Sequence, residues 1–157
     1  QNRGSTFYFT LPYTSILSKS PLINNPMILI NNTKRMIVLV VEDNETNYFY
    51  LHSILSRMNV ELLHAQDGAE AVEICKANDS IELVFMDIKM PILDGIEATK
   101  KIKSFRPELP IIAQTAYVMH EEKQKAIDAG CDGVLCKPIR KAEIFEYIKK
   151  YSKVDIE

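Results

Sequence analysis

Long apolar runs are missing from this 157-residue sequence: the longest is the six residues Met36–Val41, against the ~18 needed to cross a bilayer. No apolar core follows a basic start either, so neither a spanning helix nor an export signal is expected, and a cytoplasmic location with no direct membrane contact follows. Cysteine is scarce. Cys75, Cys131 and Cys136 form no CxxC or CxH pair, which argues against a disulfide framework and a zinc site and for a reducing compartment. Acid is absent from residues 1–35, whose only charges are Arg3, Lys19, Lys34 and Arg35, whereas residues 36–157 hold 15 basic against 21 acidic groups. A body with that acidic excess and no basic helix face repels phosphate, so direct binding of DNA or RNA is not expected and the partner should be a protein. There is no internal repeat and no low-complexity tract.

What remains is ordinary for one globular domain: 46% hydrophobic residues, 25% charged residues and a formal net charge of −2. The early segment holds three of the seven prolines and five asparagines, including Asn24-Asn25-Pro26 and Asn31-Asn32. Such residues punctuate structure, and a linker is placed at about 14–34. From Met36 on, short apolar runs alternate with amphipathic stretches. The runs Met36–Val41, Val60–Ala65, Ile81–Met86, Ile111–Gln114 and Gly133–Cys136 are of strand length, and some are apolar on both faces, as in a buried parallel sheet. The stretches between them read as helices. Asp67 with Glu70, and Asp94 with Glu97, fit an N-cap acid followed by Glu at N3. Tyr48, Leu51, Leu55 and Met58 mark one helical face; Ile144, Ile148 and Tyr151 mark another. Five β units each followed by a helix imply right-handed crossovers and a doubly wound sheet, with its crevice at the carboxyl ends of the strands.

Those ends are charged. Strand one runs into Glu42-Asp43, strand three into Asp87, strand four into Thr115 and strand five into Lys137-Pro138. Two carboxylates about 4 Å apart repel by roughly 4 kcal/mol at an effective dielectric near 20. A raised pKa on one acid, a cation from the protein or a bound metal can offset this. Lys137 supplies one positive charge against three acids. A hard divalent cation with oxygen ligands closes the deficit, and Mg²⁺ suits it best because it accepts few protein ligands and keeps several waters. Taken singly, Asp43 reads as the cap of the first helix, Thr115 as a β-branched strand end, Lys137 as solvated and Asp87 as a loop acid. Their joint occurrence at four strand ends favours a functional site.

The segments Val40-Val-Glu-Asp-Asn44, Met86-Asp-Ile-Lys-Met-Pro91 with Asp94-Gly95, Gln114-Thr-Ala116 and Gly130-Cys-Asp-Gly-Val-Leu-Cys-Lys-Pro138 resemble a receiver domain of two-component signalling, over essentially all of residues 36–151. The resemblance implies a five-stranded doubly wound parallel sheet of flavodoxin-like order 2-1-3-4-5 spanning 35–153, and a cis Lys137-Pro138 bond. It also implies that Asp87 accepts a phosphoryl group from phosphohistidine. Mg²⁺ would be held by Asp43, Asp87 and the backbone carbonyl of Lys89, with Glu42 holding a metal water. Thr115 and Lys137 would bind phosphoryl oxygens. Many receivers couple Thr movement to an aromatic on strand five; here that place is Val134, so the aromatic half of the switch is missing and a large helix rearrangement is not expected.

Arg3-Gly-Ser-Thr-Phe-Tyr-Phe-Thr-Leu-Pro12 resembles the last strand of a histidine-kinase ATP-binding domain. On that resemblance residues 1–13 are a remnant of the kinase domain and the chain is the C-terminal receiver of a hybrid sensor kinase, whose parent would carry any inner-membrane anchor. Kinase activity is not expected of the piece alone, and the unpaired strand, residues 5–12, is expected to pair with a neighbouring copy in a homodimer or to fold onto the receiver. The expected partner is a histidine kinase or a His-containing phosphotransfer protein. The chain stops at Glu157 after the last helix, so a DNA-binding output domain is not expected, and a stand-alone single-domain response regulator is the alternative. An Asp-nucleophile phosphohydrolase would place a second acid at Lys89, and a flavin carrier would place a Ser/Thr/Gly loop at Glu42–Thr46; both fit poorly. Tyr48, Phe49, Tyr50 and His52 on the first helix are candidate docking residues, or simply a half-buried, half-solvated face.

Overall fold

The computed structural model describes residues 35–116 and 120–152. The strand expected over 1–13, the linker over 14–34 and the homodimer built on that strand all lie outside the described residues. Elements alternate as β1 (Met36–Val41), α1 (Glu45–Leu55), β2 (Val60–Ala65), α2 (Gly68–Ala77), β3 (Ile81–Asp87), α3 (Gly95–Phe105), β4 (Ile111–Thr115), α4 (His120–Asp128), β5 (Gly133–Cys136) and α5 (Lys141–Tyr151). The five strands are parallel, in the order β2-β1-β3-β4-β5. β3 and β4 each run one residue further than their apolar runs, so Asp87 and Thr115 are the last residues of their strands.

The period of two along each strand divides the core. Leu39, Val41, Val84, Met86, Ile111 and Ala113 pack on one face against α2, α3 and α4. Val38, Val40, Leu83, Phe85, Ile112 and Leu135 pack on the other against α1 and α5. A central parallel strand is therefore apolar at consecutive positions rather than alternate ones, which is why Met36–Val41 is the longest apolar run in the chain. Among the described residues no helix is long and apolar enough to cross a membrane. The three thiols are free, and burial pushes Cys75 up to about 11.

Caps follow the sequence reading with one correction. Asp67 accepts hydrogen bonds from the Ala69 and Glu70 amides (2.7 and 2.9 Å), and Asp94 accepts one from the Glu97 amide (2.9 Å). The first helix, however, is capped by Asn44, whose Oδ1 accepts from the Asn47 amide at 3.1 Å, and not by Asp43. The helix begins at Glu45, so Asn44 is the residue whose short side chain reaches N3. Asp43 is left exposed beside the other acids. Met58 lies beyond the end of α1 and packs on the core from the following turn.

Ile92, in the loop between β3 and α3, has φ +65° and is 84% exposed. A β-branched residue is strained in that left-handed region, and so exposed a side chain recovers little by burial. Ile92→Asn is expected to raise stability by about 1 kcal/mol, because Asn tolerates this conformation. An upward shift of the urea midpoint checks it.

Candidate functional site

Register brings the strand ends together. Val41 pairs with Met86, Asp87 with Gln114 and Thr115 with Cys136, so the residues that follow or close each strand meet at one edge. Carboxylate oxygens of Glu42, Asp43 and Asp87 lie within 4.8 Å of one another. Glu42 and Asp87 are buried and Asp43 is exposed.

Lys137 reaches into this cluster from the end of β5. Its Nζ donates to Glu42 Oε2 at 2.7 Å and to Asp87 Oδ2 at 2.5 Å. Burial works against the Lys137 charge, but the hydrogen bonds to Asp87 and Glu42 outweigh it and its pKa ends above the ordinary lysine value. Glu42 moves up as well. Its burial, reinforced by the Asp87 charge, outweighs the hydrogen bonds from Lys137 and Asn47 and shifts it toward the protonated form. The three acids supply hard oxygen donors of the kind that hold Mg²⁺ or Ca²⁺, and the residues present fit such an ion.

The remaining sequence-predicted residues are placed as follows. The Lys89 backbone amide donates to Asp87 Oδ1 at 3.1 Å, while its ammonium faces Glu122 Oε1 at 3.3 Å. Thr115 is buried at the same edge, yet its hydroxyl donates to Glu122 Oε2 at 3.0 Å. Val134 is half-buried and packs on the α2/α3/α4 core. The Lys137-Pro138 bond is cis. On α1, Tyr48 stacks on His64 with ring centroids 3.7 Å apart, and the Tyr50 hydroxyl donates to the Ile139 carbonyl at 2.7 Å. Those two aromatics have structural work, and Phe49, 64% exposed, and His52 form the solvated remainder.

Three contributors were not apparent in the sequence. Asn47 Nδ2 donates to Glu42 Oε1 at 2.9 Å and orients that acid. Its position three residues past the Asn44 cap was the available signal. Glu122 had none, because its contacts to Thr115 and Lys89 exist only once α4 is docked. Gln114 is fully buried and neither atom of its amide group has a protein partner among the described residues; it opens on a cavity of about 300 Å³ between α1 and Lys137–Ile139.

Gly95 packs against the main chain of Asp87 and Ile88. Its amide donates to the Ile88 carbonyl at 3.0 Å, and a Cβ there would lie 2.0 Å from the Asp87 carbonyl oxygen. Backbone cannot yield as a flexible side chain does. Gly95→Ala is expected to cost about 3 kcal/mol, at the upper end of overpacking penalties, read as a fall in the urea midpoint.

Residues 38–149 match the response regulator receiver domain family. Among curated relatives, hybrid signal transduction histidine kinase L of Dictyostelium discoideum is 42% identical over 125 residues, 74% of this chain and 7% of the kinase. The autoinducer 2 sensor kinase/phosphatase LuxQ of Vibrio vulnificus is 34% identical over 148 residues, 92% of this chain and 17% of the kinase. The chain thus spans a small fraction of the length of these relatives. The receiver domain of Ssk1 from Saccharomyces cerevisiae, solved with the histidine phosphotransfer protein Ypd1, superposes with a TM-score of 0.70 at 33% identity, over 74% of this chain and 88% of that one. The receiver of a sensor histidine kinase from Pseudomonas aeruginosa, solved with magnesium in its active-site cleft, gives a TM-score of 0.70 at 28% identity, over 74% and 97%. With the family matched across 112 of 157 residues on a sheet of the same topology, the chain belongs to the response regulator receiver domains of two-component phosphorelay signalling.

Proposed function

We propose that Asp87 is the phosphoacceptor of this receiver and that the donor is a phosphohistidine on a histidine kinase or a His-containing phosphotransfer protein. The observation that carries the reading is the setting of Asp87: the last residue of the central strand β3, buried, gripped by Lys137 Nζ and the Lys89 amide, with Glu42 and Asp43 within 4.8 Å. An Asp87 carboxylate oxygen attacks phosphorus, the P–N bond breaks, and its electron pair leaves on the imidazole nitrogen. The product is an acyl phosphate. Positioning and neutralisation of the phosphoryl oxygens are what such a transfer needs. Lys137 supplies one positive charge at that place, and the Thr115 hydroxyl is the nearby neutral donor.

Asp43, Asp87 and the Lys89 carbonyl would hold Mg²⁺ directly and Glu42 through a water; bound, the ion adds the positive charge that Lys137 alone lacks. The magnesium in the Pseudomonas aeruginosa receiver supports this choice of ion, and the Ypd1 complex of the Ssk1 receiver supports the choice of partner. We place the receiver at 35–153, in the cytoplasm, as the C-terminal part of a hybrid kinase, with residues 1–13 as the end of the kinase ATP-binding domain and 14–34 as linker. Similarity to LuxQ extends over 92% of the chain, whereas residues 35–157 make up 123 of 157, so the likeness runs into the first segment. That favours the hybrid kinase over a stand-alone regulator. Intact mass after incubation with a small acyl phosphate tests the reading: gain of one phosphoryl group with Mg²⁺ and none without it is expected, and no gain in either case would sink it.

A further inference from the structure

We propose that Glu122 is a positioning residue that holds the Thr115 hydroxyl and the Lys89 ammonium away from Asp87 in the resting chain, and that its release is how phosphorylation is felt by α4. The proposal rests on the receiver reading above. One carboxylate makes both contacts: Oε2 accepts from the Thr115 hydroxyl at 3.0 Å and Oε1 faces Lys89 Nζ at 3.3 Å. The Glu122 side chain is sheltered, at 20% exposure, and Thr115 is buried. These are therefore not the fleeting pairs of an open surface, although the ammonium end of Lys89 is solvated.

A hydroxyl has one proton to donate. While Thr115 gives it to Glu122, that proton is not available to a phosphoryl oxygen on Asp87, so engagement of the phosphoryl group requires the Glu122 contact to break. The added group carries nearly two negative charges. It attracts Lys89, two residues from the acceptor, and repels the Glu122 carboxylate, so both contacts are weakened by the same event. Val134 offers no aromatic ring to follow Thr115 on β5. Glu122 instead links Thr115 directly to a helix, and α4 is lightly anchored, with Ala126 its one buried residue. Glu122 ties that helix to the end of β4 through Thr115 and to the loop after β3 through Lys89.

The test uses the full chain with a small acyl phosphate and Mg²⁺, following phosphoryl uptake by intact mass and the amide resonances of residues 120–128 by NMR. Glu122→Ala is expected to take up phosphoryl about tenfold faster, the equivalent of one charge-assisted hydrogen bond no longer to be broken. Its α4 amides should already lie near the positions that the unaltered chain reaches only when phosphorylated. In a Thr115→Val background the same substitution should add a smaller acceleration, the part owed to release of Lys89, which a loss of general stability would not explain. If the unaltered chain takes up phosphoryl but Glu122→Ala matches it in rate and in α4 shifts, or accelerates uptake equally without the Thr115 hydroxyl, the positioning role is overturned alone. If the unaltered chain takes up none, the receiver reading fails and this role with it.

Discussion

Asp87→Asn takes up no phosphoryl group under conditions that load the unaltered chain: that is the expected result, and its effect is all or none. The substitution keeps the shape of the side chain, and its one amide oxygen can accept from the Lys89 amide or from Lys137, which in Asp87 donate to two different oxygens. What changes is the nucleophile. A neutral amide oxygen lacks the negative charge that attacks phosphorus, and the amide cannot form the acyl phosphate. Electrostatics give a second, independent readout. The Asp87 charge is one of the causes that push Glu42 upward, behind burial. Without it Glu42 shares Lys137 with no rival, and its carboxyl should titrate lower than in the unaltered chain. Side-chain carbon resonances of Glu42 followed against pH would show it. Phosphoryl uptake persisting in Asp87→Asn would move the acceptor elsewhere.

Lys137→Met should be the most destabilising of the site substitutions at neutral pH. Lys137 sits between two buried acids, and among the described residues no other ammonium pairs with either. Removing one member of a buried ion pair costs about 3–5 kcal/mol, since the charge left behind is buried without its counter-charge. Against a total stability of about 5–15 kcal/mol for a domain, such a loss is large. The pH dependence has a definite sign. Glu42 has a folded pKa above its ordinary value, so its contribution to stability is fully present below that ordinary value and is lost as pH rises through the folded one. In Lys137→Met the rise in Glu42 should be greater. The deficit relative to the unaltered chain therefore narrows toward pH 4.5 and widens toward neutrality. Lys137 itself, raised in the folded chain, contributes below its ordinary lysine value and ceases to do so only at strongly alkaline pH, so it does not blur the comparison. Urea midpoints of both proteins between pH 5 and 8 measure the gap, and parallel curves would contradict this account.

Much of this was legible in the chain. The strand count, the alternation with helices and the parallel sheet follow from runs such as Met36–Val41, which only a strand buried on both faces would carry. The placement of Glu42, Asp43, Asp87, Thr115 and Lys137 at strand ends is equally local, because each lies next to an apolar run. The caps at Asp67 and Asp94 are likewise local signals. Asp43 was the exception: Asp43 and Asn44 are adjacent and both suit a helix cap, and only the start of α1 at Glu45 assigns the cap to Asn44.

The sequence by itself therefore determined the class of fold and the edge at which these charged side chains gather, since side-chain period and strand length are short-range properties. Only the tertiary structure decided who holds whom. That Lys137 bridges Glu42 and Asp87, that Asn47 steadies Glu42, that Gly95 packs on the Asp87 carbonyl and that Thr115 is turned toward Glu122 all depend on contacts between separate elements. A separation of 95 positions between Glu42 and Lys137 leaves no local sign of that meeting; parallel register and helix docking create it, and hydrogen-bond directions are set only after both are in place.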